Sequence, residues 1–380
     1  MELILKQYDI PLLRFSATND SSTPEIEVHW INEDQKHLLP LDMELSPEGI
    51  SRWMRRRTIP RNRAYVNRLL AKCGLNANRP MGILALCKGL SVDDSYWVVE
   101  EGFEGTFEKY NLFENCFSEV LALIAFTGYG SSNRSSLASS PEFTTNGMLP
   151  KCWRRISGKV MLYKGGTDGG YNTGAEPYCE HYAAQVAAAM GIDAIPYGLS
   201  QWNGRLCSTC ELFTDIDHAY MPIGNLVQRG GFDAVAAYYE NLGEPFQKAF
   251  RDMLVFDAVI CNTDRHYGNF GFMVDNKTNT IAAPAPLFDH GNSLFNQAGP
   301  EDYESVEAFQ QYIDTLVPCV YDDFFATAKR FMADENREQL RKLLGFRFKR
   351  HVRYNLPPKR LKLMEEQVRK RAMRLLENKE

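Results

Sequence analysis

The sequence predicts a two-lobed α+β fold, in which a mixed α/β N-terminal half precedes a mainly helical C-terminal half. Three observations lead to this prediction. The chain has 380 residues, 44% of them hydrophobic, which is too long for one ordinary core and sufficient for two or three domains. Strand and helix signals alternate up to residue 213. Beyond residue 230 the pattern is mainly helical, interrupted by one hairpin.

The N-terminal elements are two strand-like stretches and two helices. Residues 1–35 predict short strands. A helix is predicted over residues 46–74, because Ser46-Pro47 is a typical helix start and Gly74 a typical stop. The apolar stretch 114–127 predicts another helix.

A change of composition follows. Residues 128–147 are rich in Ser, Gly and Thr, which indicates a loop or linker. After it, residues 159–164 predict a short apolar strand and residues 176–190 a helix that ends at a glycine. Residues 195–213 predict a hairpin that turns at Asn203-Gly204.

The C-terminal half is predicted to contain a helix over residues 245–260 and a hairpin over residues 270–288. A last helix is predicted from about Pro358. Its apolar residues fall at helical spacing, so one face is expected to be core or partner contact. They are Leu361, Met364, Val368, Ala372 and Leu375.

Net charge is uninformative in this chain, whereas the cysteine content indicates a reducing compartment. The formal net charge of -5 argues neither for nor against nucleic acid as a partner of the whole chain. Nine scattered cysteines, with no apolar leader at the N-terminus, indicate free thiols and a cytoplasmic protein. The pair Cys207 and Cys210 lacks the second pair that zinc sites usually need, so we interpret it as part of a strand.

The chemistry is concentrated in residues 261–271, a loop between a predicted helix and a predicted strand. Asp264 and Asn269 are five residues apart, which is the spacing of the protein-kinase catalytic loop. The Asp accepts or orients the proton of an attacking hydroxyl, and the Asn offers a neutral oxygen to Mg²⁺. Asp289, at the end of the following hairpin, is the predicted second metal ligand.

A cation for the phosphates is expected from the strand-rich half. Lys164 ends an apolar strand, and Glu180, on the next helix, is its predicted partner. Lysine, glutamate, Asp-x-x-x-x-Asn and a late Asp is the kinase order, and it predicts an ATP-dependent phosphotransferase. Taken singly, each has an ordinary structural alternative: a surface lysine, a solvated helix residue or a turn aspartate.

Two further residues of this region are candidates. His266 is predicted to orient Asp264 or to approach the γ-phosphate, and a structural role is the alternative. Asp257, near the end of the preceding helix, is predicted to anchor the loop.

The string Asn-Thr-Asp-Arg-His-Tyr-Gly-Asn, residues 262–269, resembles the catalytic loop of HipA-like serine/threonine kinases. The resemblance spans about residues 140–330. It implies a protein-kinase-like fold, the cofactors ATP and Mg²⁺, and a protein Ser or Thr hydroxyl as substrate. It also implies that the chain is the toxin of a toxin–antitoxin pair, with an antitoxin or regulator protein as partner.

The same resemblance assigns residues to the nucleotide. Glu211 and Phe213 match the family's hinge, whose backbone faces adenine, and Thr145 and Gly147 lie where the family keeps its phosphate loop. It also implies three segments. They are a family-specific N-terminal region (1–127), a nucleotide-binding lobe (128–213) and a helical catalytic lobe (214–380).

Two other functions stay open. One is a lipid or small-molecule kinase that uses the same loop. The other is a nucleic-acid-binding regulator with a degenerate kinase half. A dense basic patch around Trp53 suggests the regulator, although a solvated face that packs Trp53 and Ile59 inward is favoured. The arginines of this patch are Arg52, Arg55, Arg56, Arg57, Arg61 and Arg63.

The Ser/Thr-rich loop at residues 131–145 is a candidate for self-modification. A phosphate there adds close to two negative charges beside the predicted phosphate loop, and repulsion or a contact to Arg134 would lower activity. A flexible linker is the alternative.

Overall fold

The structure is a computed structural model that describes residues 1–18, 24–130, 140–170 and 172–377. The strands are β1 (Glu2–Gln7), β2 (Ile10–Ala17), β3 (Ile26–Ile31), β4 (Tyr96–Glu100), β5 (Lys151–Ile156), β6 (Lys159–Gly165), β7 (Gly198–Trp202), β8 (Arg205–Glu211), β9 (His218–Pro222), β10 (Gly271–Asp275) and β11 (Thr280–Pro284). The helices are α1 (Pro47–Arg56), α2 (Val66–Lys72), α3 (Pro80–Cys87), α4 (Phe107–Tyr110), α5 (Glu119–Thr127), α6 (Glu176–Met190), α7 (Ile223–Leu226), α8 (Gly231–Leu242), α9 (Phe246–Ile260), α10 (Val306–Asp314), α11 (Phe324–Phe331), α12 (Asp334–Arg341) and α13 (Pro358–Leu376).

The chain divides into two compact units that are not contiguous in sequence. Unit 1 contains Met1–Lys164, Glu211–Met221 and Met273–Ala282. Unit 2 contains Gly165–Cys210, Pro222–Phe272 and Ala283–Glu380. The three predicted segments with boundaries after residues 127 and 213 were defined by function, and they stay a prediction.

Unit 1 is built on an antiparallel sheet with the strand order β3-β2-β1-β4. Alternate residues of β1 and β2, such as Leu5 and Leu13, face one core. Helix α1 covers this face with Ile50, Trp53 and Met54. The predicted inward packing of Trp53 is therefore confirmed.

The predicted helix over residues 46–74 is wrong as one element. Ser46 caps the N-terminus of α1 by accepting the Gly49 N–H, as predicted. The chain then leaves the helix at Arg57 and re-enters at α2 through Tyr65, which has a φ of 60°. Pro60 lies in this break and cannot continue an α-helix hydrogen-bond ladder. Helix α5 likewise starts later than predicted, at the Ser118 cap.

The hairpin β5-β6 of unit 1 carries the predicted strand 159–164. Its tight turn uses Ser157 and Gly158, both with positive φ. The register places Lys151 opposite Lys164, and both side chains are buried. The hairpin predicted over residues 270–288 is β10-β11, and it belongs to a sheet with the order β11-β10-β9.

Unit 2 starts with α6 and the hairpin β7-β8. Helix α6 has the predicted bounds and ends at Gly191, whose φ is 82°. The β7-β8 turn is at Asn203 and Gly204, with φ values of 47° and 78°, as the Asn-Gly signal predicted. A parallel bridge joins Ala194 to Leu287 and so brings the segment after β11 beside the end of α6.

The helices α8 to α13 form the rest of unit 2. Helix α9 is buried almost throughout its second half, from Asp252 to Ile260. Helix α13 packs against it, and the five apolar residues predicted for one face of α13 are all buried. Among the described residues, no helix is both long and apolar enough to cross a membrane.

Candidate active site

The end of α9 is tied to the predicted catalytic loop by a buried ion pair. Arg265 Nε lies 2.9 Å from Asp257 Oδ2, and Nη2 lies 3.0 Å from Asp257 Oδ1. Both side chains are fully buried. The Asn262 side chain donates to the same carboxylate at 3.0 Å. Asp257 therefore anchors the loop as the sequence predicted.

Arg265 also joins the loop to the segment after β11. Its Nη1 donates to the carbonyl of Asn269 at 3.1 Å and to that of Phe288 at 2.6 Å. Its Nη2 lies 3.0 Å from His290 Nδ1. Burial lowers the pKa of Arg265, but the charge of Asp257 and its hydrogen bonds outweigh burial, so the pKa is raised.

Asp264 and Asn269 lie together within this loop. The Asn269 amide donates from Nδ2 to the Asp264 carbonyl at 3.2 Å, so its Oδ1 is the atom suited to bind a metal. The Asp264 carboxylate is half-buried, and its Oδ2 accepts the Asn292 amide at 2.8 Å. Asn296 donates in turn to Asn292 Oδ1 at 2.9 Å.

Asp289 stands next to the carbonyl that Arg265 binds. Its φ is 55°, an unusual value for a residue other than glycine. Its N–H donates to the Tyr197 hydroxyl at 3.1 Å, which helps to hold this conformation. Because one guanidinium binds the carbonyls of residues 269 and 288, the segments that carry both predicted metal ligands meet at Arg265.

Glu180 contacts the same segment from α6. It is fully buried, and its Oε2 accepts the His290 N–H at 2.7 Å. A Cβ on Gly291 would lie 3.3 Å from Glu176 Cβ, a tight contact, so a larger residue there would crowd α6. The predicted partner of Glu180, Lys164, belongs to unit 1, and the pairing of the two stays a prediction.

His266 is an exposed residue of the loop. Its N–H donates to the Asp264 carbonyl at 2.8 Å, and its own carbonyl accepts the Asn269 N–H at 2.9 Å. Its Nδ1 accepts the Gly268 N–H at 3.0 Å. His266 therefore shapes the turn between Asp264 and Asn269 through its backbone.

The predicted phosphate loop of unit 1 is held by internal hydrogen bonds. The Thr145 hydroxyl donates to the Pro141 carbonyl at 2.7 Å and accepts the Trp153 indole N–H at 2.9 Å. Gly147 has a φ of 89°, and a Cβ there would collide with the Lys151 amine. The Lys151 amine itself donates to the Asn146 carbonyl at 2.9 Å.

The two predicted hinge residues lie at and just beyond the end of β8. Glu211 is exposed and forms an ion pair with Lys159 at 2.6 Å. Phe213 packs edge to face on Tyr220, with 5.5 Å between ring centroids. Cys207 and Cys210 are buried within β8. Among the residues that the structure describes, no group of three or more His, Cys, Asp and Glu side chains is placed to hold a metal.

The sequence is similar to that of a known kinase over part of its length. No family model matches the chain. Over 135 residues the chain is 25% identical to the serine/threonine-protein kinase CtkA of Helicobacter pylori, which covers 32% of this chain. That match spans 41% of CtkA, less than half of its length.

Two solved structures are similar to the whole chain or part of it. HipA of Shewanella oneidensis, in its complex with HipB and operator DNA, aligns with a TM-score of 0.51 and 13% identity, covering 98% of this chain and 97% of HipA. The chain has the fold of the HipA-like kinases. The crystal structure of CtkA aligns with a TM-score of 0.48 and 15% identity, covering 61% of this chain and 90% of CtkA.

The HipA-like fold confirms the predicted fold class. The prediction of a basic patch in the N-terminal region is partly wrong, because two of its arginines are buried. Arg57 forms a two-pronged ion pair with Asp94 at 2.7 and 2.8 Å, and Arg63 lies 2.5 Å from Glu142. These partners are 37 and 79 residues away in sequence, so spacing gives no sign of them.

Arg265, Asn292 and Tyr197 were not predicted as parts of the site. The role of Arg265 could have been inferred from the sequence. A buried arginine needs a carboxylate partner, and Asp257 lies near the end of the helix that precedes the loop. Asn292 and Tyr197 carry no motif that could have identified them. In the proposed self-modification loop, Thr144 is buried and donates to the Leu90 carbonyl at 2.9 Å, while residues 131–139 lie outside the described residues.

Proposed function

We propose that this HipA-like chain is an ATP-dependent phosphotransferase that phosphorylates a Ser or Thr hydroxyl of a protein. The observation that carries the proposal is the buried Asp257–Arg265 pair. Arg265 follows Asp264 in the chain, and its guanidinium contacts the Asn269 and Phe288 carbonyls and the His290 ring. Catalysis of phosphoryl transfer depends mainly on such positioning and on charge neutralisation. Similarity to a protein named serine/threonine-protein kinase supports a protein substrate.

Asp264 is assigned to the substrate hydroxyl. The Asn292 amide holds one carboxylate oxygen, Oδ2, and so fixes the rotation of the group. The other oxygen, Oδ1, is assigned to accept the hydroxyl proton as the phosphate–oxygen bond forms. His266 is assigned an orienting role, through its backbone bond to the Asp264 carbonyl.

Mg²⁺ is assigned to Asn269 Oδ1 and the Asp289 carboxylate. A neutral amide oxygen and a carboxylate are hard ligands, and Mg²⁺ commonly takes one or two such ligands from protein together with phosphate oxygens. When bound, the metal supplies positive charge that neutralises the phosphates. Arg265 and Tyr197 keep the two ligand-bearing segments in place.

The remaining predicted residues are assigned to the nucleotide. Lys164 is buried at the end of β6 and is assigned to the phosphates, and Glu180 positions the 289–291 segment through His290. Thr145 and Gly147 are assigned to the phosphate loop, and the backbone at Glu211 and Phe213 to adenine.

A regulator protein is the partner that we infer. HipA of Shewanella oneidensis is known in a complex with HipB and operator DNA, and a fold that covers 98% of this chain supports a corresponding antitoxin partner here. The proposal therefore includes a toxin–antitoxin role.

The test is ATP turnover with and without Mg²⁺, followed by mass spectrometry of the chain and of treated lysate. Asp264→Ala should lower phosphoryl transfer by about 10²-fold or more, with the unfolding midpoint unchanged. Near-normal turnover in that variant would remove Asp264 from the mechanism. Phosphate recovered in lipid or small-molecule extracts, and not in protein, would replace the proposed substrate class.

A further inference from the structure

A second functional surface lies in unit 2, in the loop between α12 and α13. Residues 346–356, here called the basic loop, carry four exposed cationic side chains within seven positions. They are Arg347, Lys349, Arg350 and Arg353. The surrounding stretch, residues 339–364, contains no Asp or Glu at all, so the local charge is strongly positive in a chain of net charge -5.

These four cations have no salt-bridge partner among the described residues. The ion pairs formed in this part of the chain are Arg341 with Glu338 and Lys362 with Glu366, which flank the loop. Like charges so close together repel one another, and an acidic neighbour would relieve that repulsion. An unpaired, exposed cluster of this kind is the electrostatic signature of a surface that meets an anionic partner.

The backbone under these cations is fixed by side chains of the unit. Gln185 of α6 accepts the Lys349 N–H at 2.8 Å and donates to the Lys349 carbonyl at 3.2 Å. Asn355 accepts the His351 N–H at 2.9 Å and donates to the His351 carbonyl at 2.6 Å. The Tyr182 hydroxyl donates to the same Asn355 side chain at 3.0 Å.

The uncharged side chains of the loop complete this anchoring. Phe346 and Phe348 are buried, with 5.1 Å between their ring centroids, and the Phe348 N–H donates to Glu365 at 3.0 Å. The His351 and Tyr354 rings stack at 5.3 Å. The charged residues thus stand on a rigid platform, so little conformational entropy of the backbone would be lost on binding.

We propose that the basic loop binds the phosphodiester backbone of nucleic acid. Three of its four cations are arginines, whose planar guanidinium matches phosphate oxygens in a two-pronged contact. An extended stretch of seven residues spans at most about 25 Å, and duplex DNA presents a charge every ~1.7 Å of its axis. A duplex therefore offers each cation a phosphate without any particular sequence.

The loop does not suit a membrane surface. Membrane-surface segments bury a continuous apolar face among the lipids. Here the aromatic side chains pack inward or on each other, and Val352, 92% exposed, is the one apolar side chain of the loop that stands fully in solvent. An acidic protein is the remaining alternative partner. Its negative charges are less closely spaced than those of a duplex, which favours nucleic acid. The proposal is independent of phosphoryl transfer.

The experiment measures binding of the full chain to a fluorescent DNA duplex of about 20 base pairs, and to an RNA of equal length, at several salt concentrations. Four phosphate contacts predict a slope of log K against log salt near about -3.6, and hence roughly 10²-fold weaker binding between about 50 and 200 mM salt. Replacing all four cations by Gln should abolish this salt-dependent binding. Each single Arg→Gln should reduce the slope by about 1.

The matched control removes four exposed arginines of unit 1, with Arg52→Gln, Arg55→Gln, Arg61→Gln and Arg79→Gln. It changes the net charge equally and should keep the wild-type slope. A charge-retaining variant with Lys at the three arginines should also keep the slope, and equal unfolding midpoints show that all variants are folded. The proposal is overturned if the salt slope is unchanged in the loop variant, or if the control loses as much binding as the loop variant. It is also overturned if polyglutamate competes as well as DNA does, or if the chain binds anionic phosphatidylglycerol vesicles and not DNA.

Discussion

Among the residues that the structure describes, each of the two units has a fully buried arginine–carboxylate pair, and the two pairs hold different predicted site segments. In unit 2, Arg265 pairs with Asp257, eight residues away, and binds the catalytic-loop carbonyl of Asn269. In unit 1, Arg63 pairs with Glu142, 79 residues away, and binds the carbonyls of Thr145 at 3.2 Å and Lys151 at 2.8 Å. Residues 145 and 151 lie near the two ends of the predicted phosphate loop.

Burial, and not exposure, gives these two arginines their roles. A buried arginine must satisfy several donors, so it collects carbonyls from whatever segments surround it. In both units those segments carry the residues predicted to act on ATP. Burial raises the pKa of Glu142, and the charge of Arg63 opposes that rise only in part, so this pair is held against a substantial desolvation cost.

The largest expected effect comes from Arg265→Met. The change leaves Asp257 as a buried charge without its partner, which should cost about 3–5 kcal/mol of unfolding free energy. It also releases the carbonyls of Asn269 and Phe288, so turnover should fall by 10²-fold or more by the same estimate as for a lost catalytic group. Urea unfolding and ATP turnover measure the two effects.

The double variant Asp257→Leu/Arg265→Met separates stability from positioning. Replacing both partners by apolar residues often recovers the stability that a single replacement loses. We expect stability to return in large part while turnover stays low, because the two carbonyls still lack their donor. A double variant with normal turnover would show that Arg265 does not position the loop.

Arg63→Met should destabilise the protein by a similar amount, about 3–5 kcal/mol, because it leaves the buried Glu142 carboxylate without its ion-pair partner. Its effect on activity should differ, since Arg63 binds the predicted phosphate loop and not the catalytic loop. We expect the KM for ATP to rise several-fold while kcat changes little. The exposed neighbour Arg61→Met is the matched control and should stay within about 0.5 kcal/mol of the wild type. An unchanged KM in a folded Arg63 variant would separate this segment from ATP.

The two arginine pairs also differ in how far they can be predicted from the sequence. Local signals were reliable: the Gly191 stop of α6 and the Asn203-Gly204 turn are in the structure as predicted, because glycine and asparagine supply the positive φ that these sites need. The Asp257 anchor is also predicted, because Asp257 lies on the helix that leads directly into the loop. The sequence predicts Arg63 on a solvated face, because nothing within its own stretch reveals a carboxylate 79 residues later. Pairing over such a distance is set by tertiary packing.

Asn292→Ala should have the next largest effect. Its amide is the donor that holds Asp264 Oδ2 at 2.8 Å, and a hydrogen bond to a charged group contributes about 1.5–3 kcal/mol. If this hydrogen bond positions the carboxylate during phosphoryl transfer, its loss should lower kcat about 10- to 10²-fold and leave the KM for ATP unchanged. Asn296→Ala removes the outer bond of the same chain and should have a smaller effect. Equal losses in kcat from both variants would argue for a general effect on the fold.

Tyr197→Phe should have the smallest effect and is the most specific test of Asp289. The hydroxyl accepts the Asp289 N–H at 3.1 Å in a partly buried position, and the loss of this hydrogen bond should cost about 1 kcal/mol. Asp289 already has the unfavourable φ of 55°, so its backbone should relax and displace the carboxylate. If Asp289 binds Mg²⁺, the metal concentration for half-maximal turnover should rise about fivefold, which corresponds to about 1 kcal/mol.

Tyr303→Phe is the matched control, because it also removes one hydrogen bond of a hydroxyl, to the Phe295 carbonyl at 3.3 Å, in another part of unit 2. It should lower stability comparably and leave the metal dependence unchanged. The same shift in metal dependence from both variants would mean that Tyr197 acts through stability alone.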